Sequence, residues 1–426
     1  MIENRSPEVY LNLNVRGMGE SATLAINERS RQLAAEGRNV YKLGLGQSPF
    51  PVPGHVRESL ERNAYQKDYL PVMGLAALRE AVVAWVKRTE GLDYSMEHVL
   101  VGPGTKELMF LIQLVYYGDL VIPSPSWVSY APQARIIGRH IHWLKTRPES
   151  GLGVEPDALE ELCERDPNRP RLLILNSPSN PTGNCYDEEQ LQSLVAVLRK
   201  YKVLVLSDEI YSGTHYTGEH LSLARYYPEG TIISNGLSKW CGAGGWRLGF
   251  FIFPPNLAWL ATAMAAVASE TFTSTSAPIQ YAAVTALEDR PEMDEYLLHS
   301  RQILAALADH AAKTLRDAGA VIRPASGGFY LFPNFESQRE RLAERGIVNS
   351  ALLCEGLLEQ TGVAVLPGDC FGRPPEELSM RIAIVDFDGT NALAAAATER
   401  IDEAFVKRHC PRVTDAVEKM SQWILS

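Results

Sequence analysis

Three segments of the sequence each end a short apolar run with residues able to do chemistry. Asn176-Ser177-Pro178-Ser179-Asn180-Pro181-Thr182-Gly183 follows Leu172 to Leu175, and Ser207-Asp208-Glu209-Ile210-Tyr211 follows Val203 to Leu206. Ser234-Asn235-Gly236-Leu237-Ser238-Lys239 follows Thr231 to Ile233, and Arg247 stands eight residues after the lysine in Gly245-Trp246-Arg247-Leu248-Gly249. An amine such as Lys239, held in a pocket, forms a Schiff base with an aldehyde. A carboxylate such as Asp208, facing a pyridine nitrogen, keeps it protonated and makes the ring an electron sink. The Asn180 amide and the Tyr211 phenol can donate to a ring hydroxylate. Ser238 and Arg247 offer a phosphate a hydrogen bond and a fork-shaped cation. This inventory suits pyridoxal phosphate (PLP).

Upstream, Gly102-Pro103-Gly104-Thr105-Lys106 leads into a helical pattern of Leu108, Leu111, Ile112 and Val115. A glycine turn opening a helix presents free N–H groups and the positive end of the helix dipole, a seat for an anion. The segment does not satisfy a Walker loop. Gly242-Ala243-Gly244 runs on to Arg247 where a dinucleotide fingerprint needs a third glycine. Cys163, Cys185, Cys241, Cys354, Cys370 and Cys410 contain no C-x-x-C pair and read as reduced thiols. The histidines form no H-E-x-x-H. His140 and His142 fall on one face of an expected strand, and no metal site is expected.

The elements that must hold these groups follow from the hydrophobic pattern. Leu191, Leu194, Val195 and Leu198 recur at helical spacing between the first two apolar runs. Continuous apolar strands separated by amphipathic helices imply a parallel sheet covered on both faces, with ligands collecting outside the carboxyl ends of its strands. The chain opens with an irregular segment and a helical pattern through Ile26, Ser30 and Leu33. Tyr41 to Leu45 and a turn-rich run from Gly46 to Pro53 come next. From Arg301 onward the pattern is long helices with a few strands, such as Phe329 to Phe332 and Arg381 to Val385. The expectation is an α/β protein with a large unit at 55–300 and a smaller one built from 1–54 and 301–426.

A chain of 426 residues can bury cores of that size. Its formal charge of −10 argues against a general nucleic-acid binder, which needs a basic face. The N-terminus is polar, without an apolar signal core. The nearly apolar stretch Ala258 to Ala268 is well short of the ~20 residues that span a bilayer. The expected compartment is the cytoplasm, with no membrane partner.

Taken in order, the motifs resemble the class I aminotransferases of PLP fold type I, over roughly residues 20 to 400. Asn180-Pro181-Thr182-Gly183 is similar to the family's NPTG loop, Asp208 to Tyr211 to its D-x-x-Y strand, and Ser238-Lys239 with Gly245 to Gly249 to its lysine signature. Finer features resemble the bacterial aspartate aminotransferase branch. They are the opening helix Ser21 to Asn27, the aromatic segment Ser126-Trp127-Val128-Ser129-Tyr130, and Tyr69 with Gly74 and Leu78-Arg79.

The resemblance implies a mostly parallel, seven-stranded type of sheet in the large domain and a smaller α+β domain. It implies that Lys239 carries PLP and moves the substrate's Cα proton, that Asp208 pairs the ring nitrogen, and that Asn180 and Tyr211 meet the ring hydroxyl. Trp127 would stack on the ring. The amides of Thr105 and Lys106, with Ser238 and Arg247, would hold the phosphate. Arg381 would clamp the substrate α-carboxylate, with Gly46 offering backbone and Trp127 and Asn180 beside it. Tyr69 would reach the phosphate of a neighbouring subunit, which implies a homodimer with shared sites.

The implied reaction passes an amino group from an L-amino acid to a 2-oxo acid, 2-oxoglutarate among them, by a ping-pong mechanism. Lys106 would answer a distal carboxylate or stand solvated, which tilts the substrate towards acidic amino acids, with aromatic and neutral ones close behind. A C–S lyase or cyclopropane-type synthase on the same scaffold is the alternative. A non-catalytic ligand sensor would need a basic DNA-binding unit ahead of the fold. The sequence departs from the family's pattern at Gly46-Gln47-Ser48, where G-x-P-D-F is usual, and at the glycine-rich Cys241 to Gly244. It also extends past the matched region from Cys410 onward.

Overall fold

A computed structural model describes residues 11–19 and 22–426, so Ser21 and the first ten residues of the expected smaller unit lie outside it. After the helix Ala22–Ala35 comes a two-residue strand, β1 (Tyr41–Lys42). The central sheet takes β2 (Val99–Gly102), β3 (Asp119–Ser124), β4 (Ile141–Lys145), β5 (Arg171–Asn176), β6 (Leu204–Asp208), β7 (Thr231–Gly236) and β8 (Gly249–Ile252). Its order is β2-β8-β7-β6-β5-β3-β4, and all neighbours are parallel except β8, which runs antiparallel to β2 and β7.

Burial on both faces explains why the middle strands read as continuous apolar runs. Leu172, Ile174, Leu204, Leu206 and Ile232 enter one core, while Leu173, Leu175, Val203 and Val205 enter the core on the opposite face. The helix Glu188–Tyr201 covers the second face with Leu191, Leu194, Val195 and Leu198. Each such side chain contributes roughly 1.5–3 kcal/mol when fully buried. Asp187 and Gln190 cap its first turn reciprocally, and Lys202 in the left-handed region ends it.

The register sets the site. Asn176 pairs with Asp208, and Asp208 with Ser234, so the carboxyl ends of β5, β6 and β7 lie side by side. The remaining strands are β9 (Tyr330–Leu331), β10 (Val363–Ala364), β11 (Leu366–Pro367) and β12 (Met380–Ala383). β12 stands between β11 and β9 in an antiparallel sheet, and β1 pairs in parallel with β10. The strands expected at 329–332 and 381–385 are thus present but shorter. Their ends are taken over by the turns that bring Phe329 and Ile384 together by a backbone hydrogen bond.

The long helix Pro291–Asp317 packs against this second group, as does the C-terminal helix Pro411–Leu425, which buries Val413, Ala416, Val417 and Met420. Arg412 on the C-terminal helix donates from Nε and Nη2 to Asp386 Oδ2 and from Nη2 to the carbonyl of Val40, and Lys42 N donates to the same Asp386 oxygen. No described helix is long and apolar enough to cross a membrane.

Candidate active site

At the end of β5, Asn176 Nδ2 donates to the carbonyl of Asp208 (2.7 Å) and its Oδ1 accepts from Asn180 N (2.6 Å). This side chain stitches the 177–183 loop to the neighbouring strand and turns buried Asn180 towards the space beyond. Asp208, 3% exposed, accepts a 2.5 Å hydrogen bond from Tyr130 on Oδ2, while Oδ1 is buried without a partner. Burial raises its pKa from 3.8 to about 6, against the pull of the Tyr130 hydrogen bond. A buried carboxylate oxygen left unpaired is costly in a folded chain unless a ligand meets it.

From β7 the chain turns into Ser238 and Lys239. Lys239 Nζ donates to the carbonyl of Gly46 (2.7 Å) and lies 5.6 Å from the centre of the Tyr211 ring. Burial, with Arg381 next in weight, brings its amine down to about 8. Arg247, at φ 54°, folds back to donate to the carbonyl of Gly244 (2.8 Å). It also passes Gly104, where a Cβ would fall 2.4 Å from its Nη2. A side chain at Gly249 would likewise cover Thr105 N at 2.4 Å. Two glycines therefore keep the first amide of the helix Thr105–Val115 and the Arg247 guanidinium open to the same space.

Arg381, 1% exposed, comes from β12. Its Nη1 donates to Asn180 Oδ1 (3.1 Å) and its Nη2 to the carbonyl of Gly44, while Nε is buried without a partner. The guanidinium lies over the Tyr330 ring at 4.6 Å and the Phe371 ring at 5.0 Å. Burial lowers its pKa. Trp127 meets Tyr130 edge-on at 5.3 Å, and Lys106 Nζ stands 5.7 Å from the Trp127 ring. Burial, with Arg247 nearby, lowers the Lys106 pKa.

One cavity of about 460 Å³ gathers these groups. Gly46, Thr105, Lys106, Trp127, Asn180, Asp208, Tyr211, Ser238, Lys239, Arg247 and Arg381 all line it. Tyr69 does not: it is 91% exposed on the outer surface. The lining sets four cationic side chains against a single carboxylate, an excess that calls for an anionic occupant.

Asn176, Tyr130 and Tyr330 are among the lining residues that escaped sequence reasoning. Asn176 opens the Asn-Ser-Pro turn, and Tyr130 closes the aromatic segment, so a strand-end rule applied to every polar residue would have found both. Tyr330 left no local signal. Among the departures, Cys241 and Ala243 are core residues, and Gly242 is required because its Cβ would lie 2.5 Å from the carbonyl of Phe50. The only group of described residues that could hold a metal ion is Glu90, Glu209 and His220, outside this cavity.

The residues fit pyridoxal phosphate. The unpaired Asp208 oxygen awaits a protonated ring nitrogen, the amine of Lys239 can take an aldehyde, and the glycine-flanked amide beside Arg247 can seat a phosphate.

The family model for aminotransferase class I and II matches residues 38–400. An aspartate aminotransferase of Geobacillus stearothermophilus is 34% identical over 370 residues, spanning 84% of this chain and 91% of the relative. An aspartate/prephenate aminotransferase of Thermus thermophilus is 32% identical, over 85% of this chain and 91% of its own length. The structure of aspartate aminotransferase from Thermus thermophilus with maleate superimposes with a TM-score of 0.82 at 29% identity, covering 97% of this chain and all of that one. With the amine, the carboxylate and the phosphate seat in one cavity, the chain belongs to the class I and II aminotransferases, in their bacterial aspartate aminotransferase branch, and works with pyridoxal phosphate.

Proposed function

We propose that the enzyme takes the amino group of an acidic amino acid of the aspartate type and passes it to a 2-oxo acid such as 2-oxoglutarate. The observation that carries this reading is the cationic excess of the cavity, with Arg381 buried on one wall and Lys106 Nζ 5.7 Å from the Trp127 ring. A dicarboxylate can meet both. Relatives named for aspartate, and a solved neighbour holding the dicarboxylate maleate, support the choice.

The bound cofactor supplies an aldehyde for the amino group and a ring that stores the electron pair left when Cα loses its proton. Asp208 Oδ1, free of any partner, would accept from the ring N–H, while Tyr130 holds the other oxygen. Asn180 and Tyr211 would donate to the ring hydroxyl, and Trp127 would cover the ring face. The Thr105 and Lys106 amides, Ser238 and Arg247 would bind the phosphate. Arg381 grips the substrate α-carboxylate with its forked donors, steadied by Asn180 and by Gly44; Gly46 closes the same wall. Lys239, with a pKa of about 8, is neutral often enough near physiological pH that it would take the Cα proton and deliver it to the carbon that carried the cofactor's aldehyde.

We further propose a cytoplasmic homodimer in which the exposed Tyr69 reaches the partner's phosphate seat. We also divide the chain into a cofactor-binding unit at 55–300 and a smaller unit from 1–54 and 301–426. A core that joins the long helix and the C-terminal helix to β9 and β12, reaching the larger unit through Ile210 and Tyr211, supports this division.

The test is a panel of amino donors in single half-reactions, read by loss of the cofactor's visible absorbance. Aspartate and glutamate should react fastest, and Lys106→Ala should raise KM for them roughly 10-fold or more while sparing aromatic donors. Equal rates with neutral donors would overturn the substrate assignment. Release of ammonia in place of glutamate from 2-oxoglutarate would favour a lyase.

A further inference from the structure

Tyr330 is 1% exposed and lines the cavity beside Arg381 and Tyr211. Its hydroxyl lies 2.8 Å from the Tyr211 hydroxyl, and the two rings pack edge to face at 5.5 Å. Ala383 pairs with Tyr330 across β12 and β9, the pairing that places the Arg381 guanidinium over the Tyr330 ring. On the third side, a Cβ at Gly46 would fall 1.8 Å from the Tyr330 hydroxyl, so the backbone facing Lys239 rests on that oxygen.

We propose that Tyr330 is a positioning residue: it donates its hydroxyl hydrogen to Tyr211, leaving the Tyr211 hydrogen free to point at the oxygen of the cofactor ring. The inference rests on the assignment of Tyr211 to that oxygen. A phenol has one hydrogen. Were Tyr211 to spend it on Tyr330, it would turn lone pairs towards an anionic ring oxygen. Two charged groups beside the pair favour the proposed direction. Arg381 over the Tyr330 ring makes that phenol the better donor, and Asp208, bonded to Tyr130, makes Tyr211 beside it the better acceptor. Lys239, facing the Tyr211 ring, strengthens the onward donation of the Tyr211 hydrogen. Donors in series polarise one another, so the first hydrogen bond strengthens the second. A substrate carboxylate arriving at Arg381 would cancel the cation above Tyr330 and loosen the series, linking substrate binding to the charge on the ring oxygen.

Tyr330→Phe removes one oxygen and keeps the ring's packing. The readout is the pH midpoint of the visible absorbance change of the cofactor-loaded protein, which reports proton affinity at the cofactor–Lys239 linkage. Weaker donation to the ring oxygen raises that affinity. The midpoint should therefore rise in Tyr330→Phe by on the order of half a pH unit. Tyr211→Phe should raise it further, and Tyr330→Phe should add nothing in the Tyr211→Phe background. An unchanged midpoint in Tyr330→Phe, or an equal shift in both backgrounds, would overturn the inference while leaving the cofactor assignment intact. If Tyr211→Phe itself left the midpoint unmoved, the assignment of Tyr211 would fall, and the inference with it.

Discussion

Asp208 and Glu209 are consecutive, both carboxylates, and both nearly out of reach of water, yet the fold treats them in opposite ways. Asp208 keeps one oxygen without a partner at the cavity wall. Glu209 points to the other face of β6, where its Oε1 accepts from Ser207 (2.7 Å) and Ser222 (2.6 Å). Its Oε2 lies 3.3 Å from His220 Nε2, an ion-pair distance although off line for a hydrogen bond. Glu90 completes the cluster, accepting from Ser222 N and Arg225 Nε. Burial alone would lower the His220 pKa, but Glu209 and Glu90 reverse the sign and raise it. The two carboxylates of this cluster find their partners within the protein, while the His220 ring is held by charge alone. The Asp208 side is complete only with an occupant, and that difference separates a structural acid from a functional one on adjacent residues.

Breaking the functional side should cost most. Lys239→Ala should remove turnover by ~10⁴-fold or more and abolish the visible band of the bound cofactor. Persistence of both would refute the role of Lys239. Next in size, Glu209→Ala should strip the cluster of its central acceptor and destabilise the protein by about 3–5 kcal/mol in denaturant unfolding. The cofactor's absorbance should survive in the molecules that remain folded. A spectrum altered as strongly as by a change at Asp208 would erase the contrast between the two acids.

A smaller effect sharpens the comparison through pH. Because the Asp208 pKa is about 6 in the folded chain against 3.8 ordinarily, the folded apoprotein keeps a proton that the unfolded chain releases between those values. Stability due to this group therefore falls as pH rises through that window. Asp208→Asn should make the apoprotein more stable than wild type by on the order of 2–3 kcal/mol above pH 6, with the gap closing below about pH 4. His220 has a raised pKa, so its contribution is present below its ordinary pKa and is lost as pH climbs through the folded value. His220→Gln should flatten that alkaline decline, the smallest change of the set, read by unfolding at pH 6 and pH 9.

The sequence disclosed what local pattern can carry. Runs such as Leu172 to Leu175 mark strands buried on both faces, and the residues after each run are the ones a parallel sheet brings to one edge. That rule placed Asn180, Asp208 and Lys239 together. Arg381 came from the family resemblance, since nothing near it in sequence points to Gly44 or Asn180, 337 and 201 residues away. Tyr330 was invisible for the same reason: its partner Tyr211 is 119 residues distant, and its strand has two residues. Strands that short carry no period, so β1, β10 and β11 are fixed by neighbours and not by their own composition.

The bonds joining the two ends of the chain impose an order on biosynthesis. A ribosome delivers Asn176, Asp208 and Lys239 long before the partners that β1 and the Gly44 carbonyl require at Val363 and Arg381. A nascent polypeptide can therefore assemble the PLP shelf while Tyr41 and Leu43 still lack the neighbours that cover them in the finished protein. Such distant closures slow the last stage of folding and leave greasy surface open to chaperones until the Arg412 helix has emerged and docked.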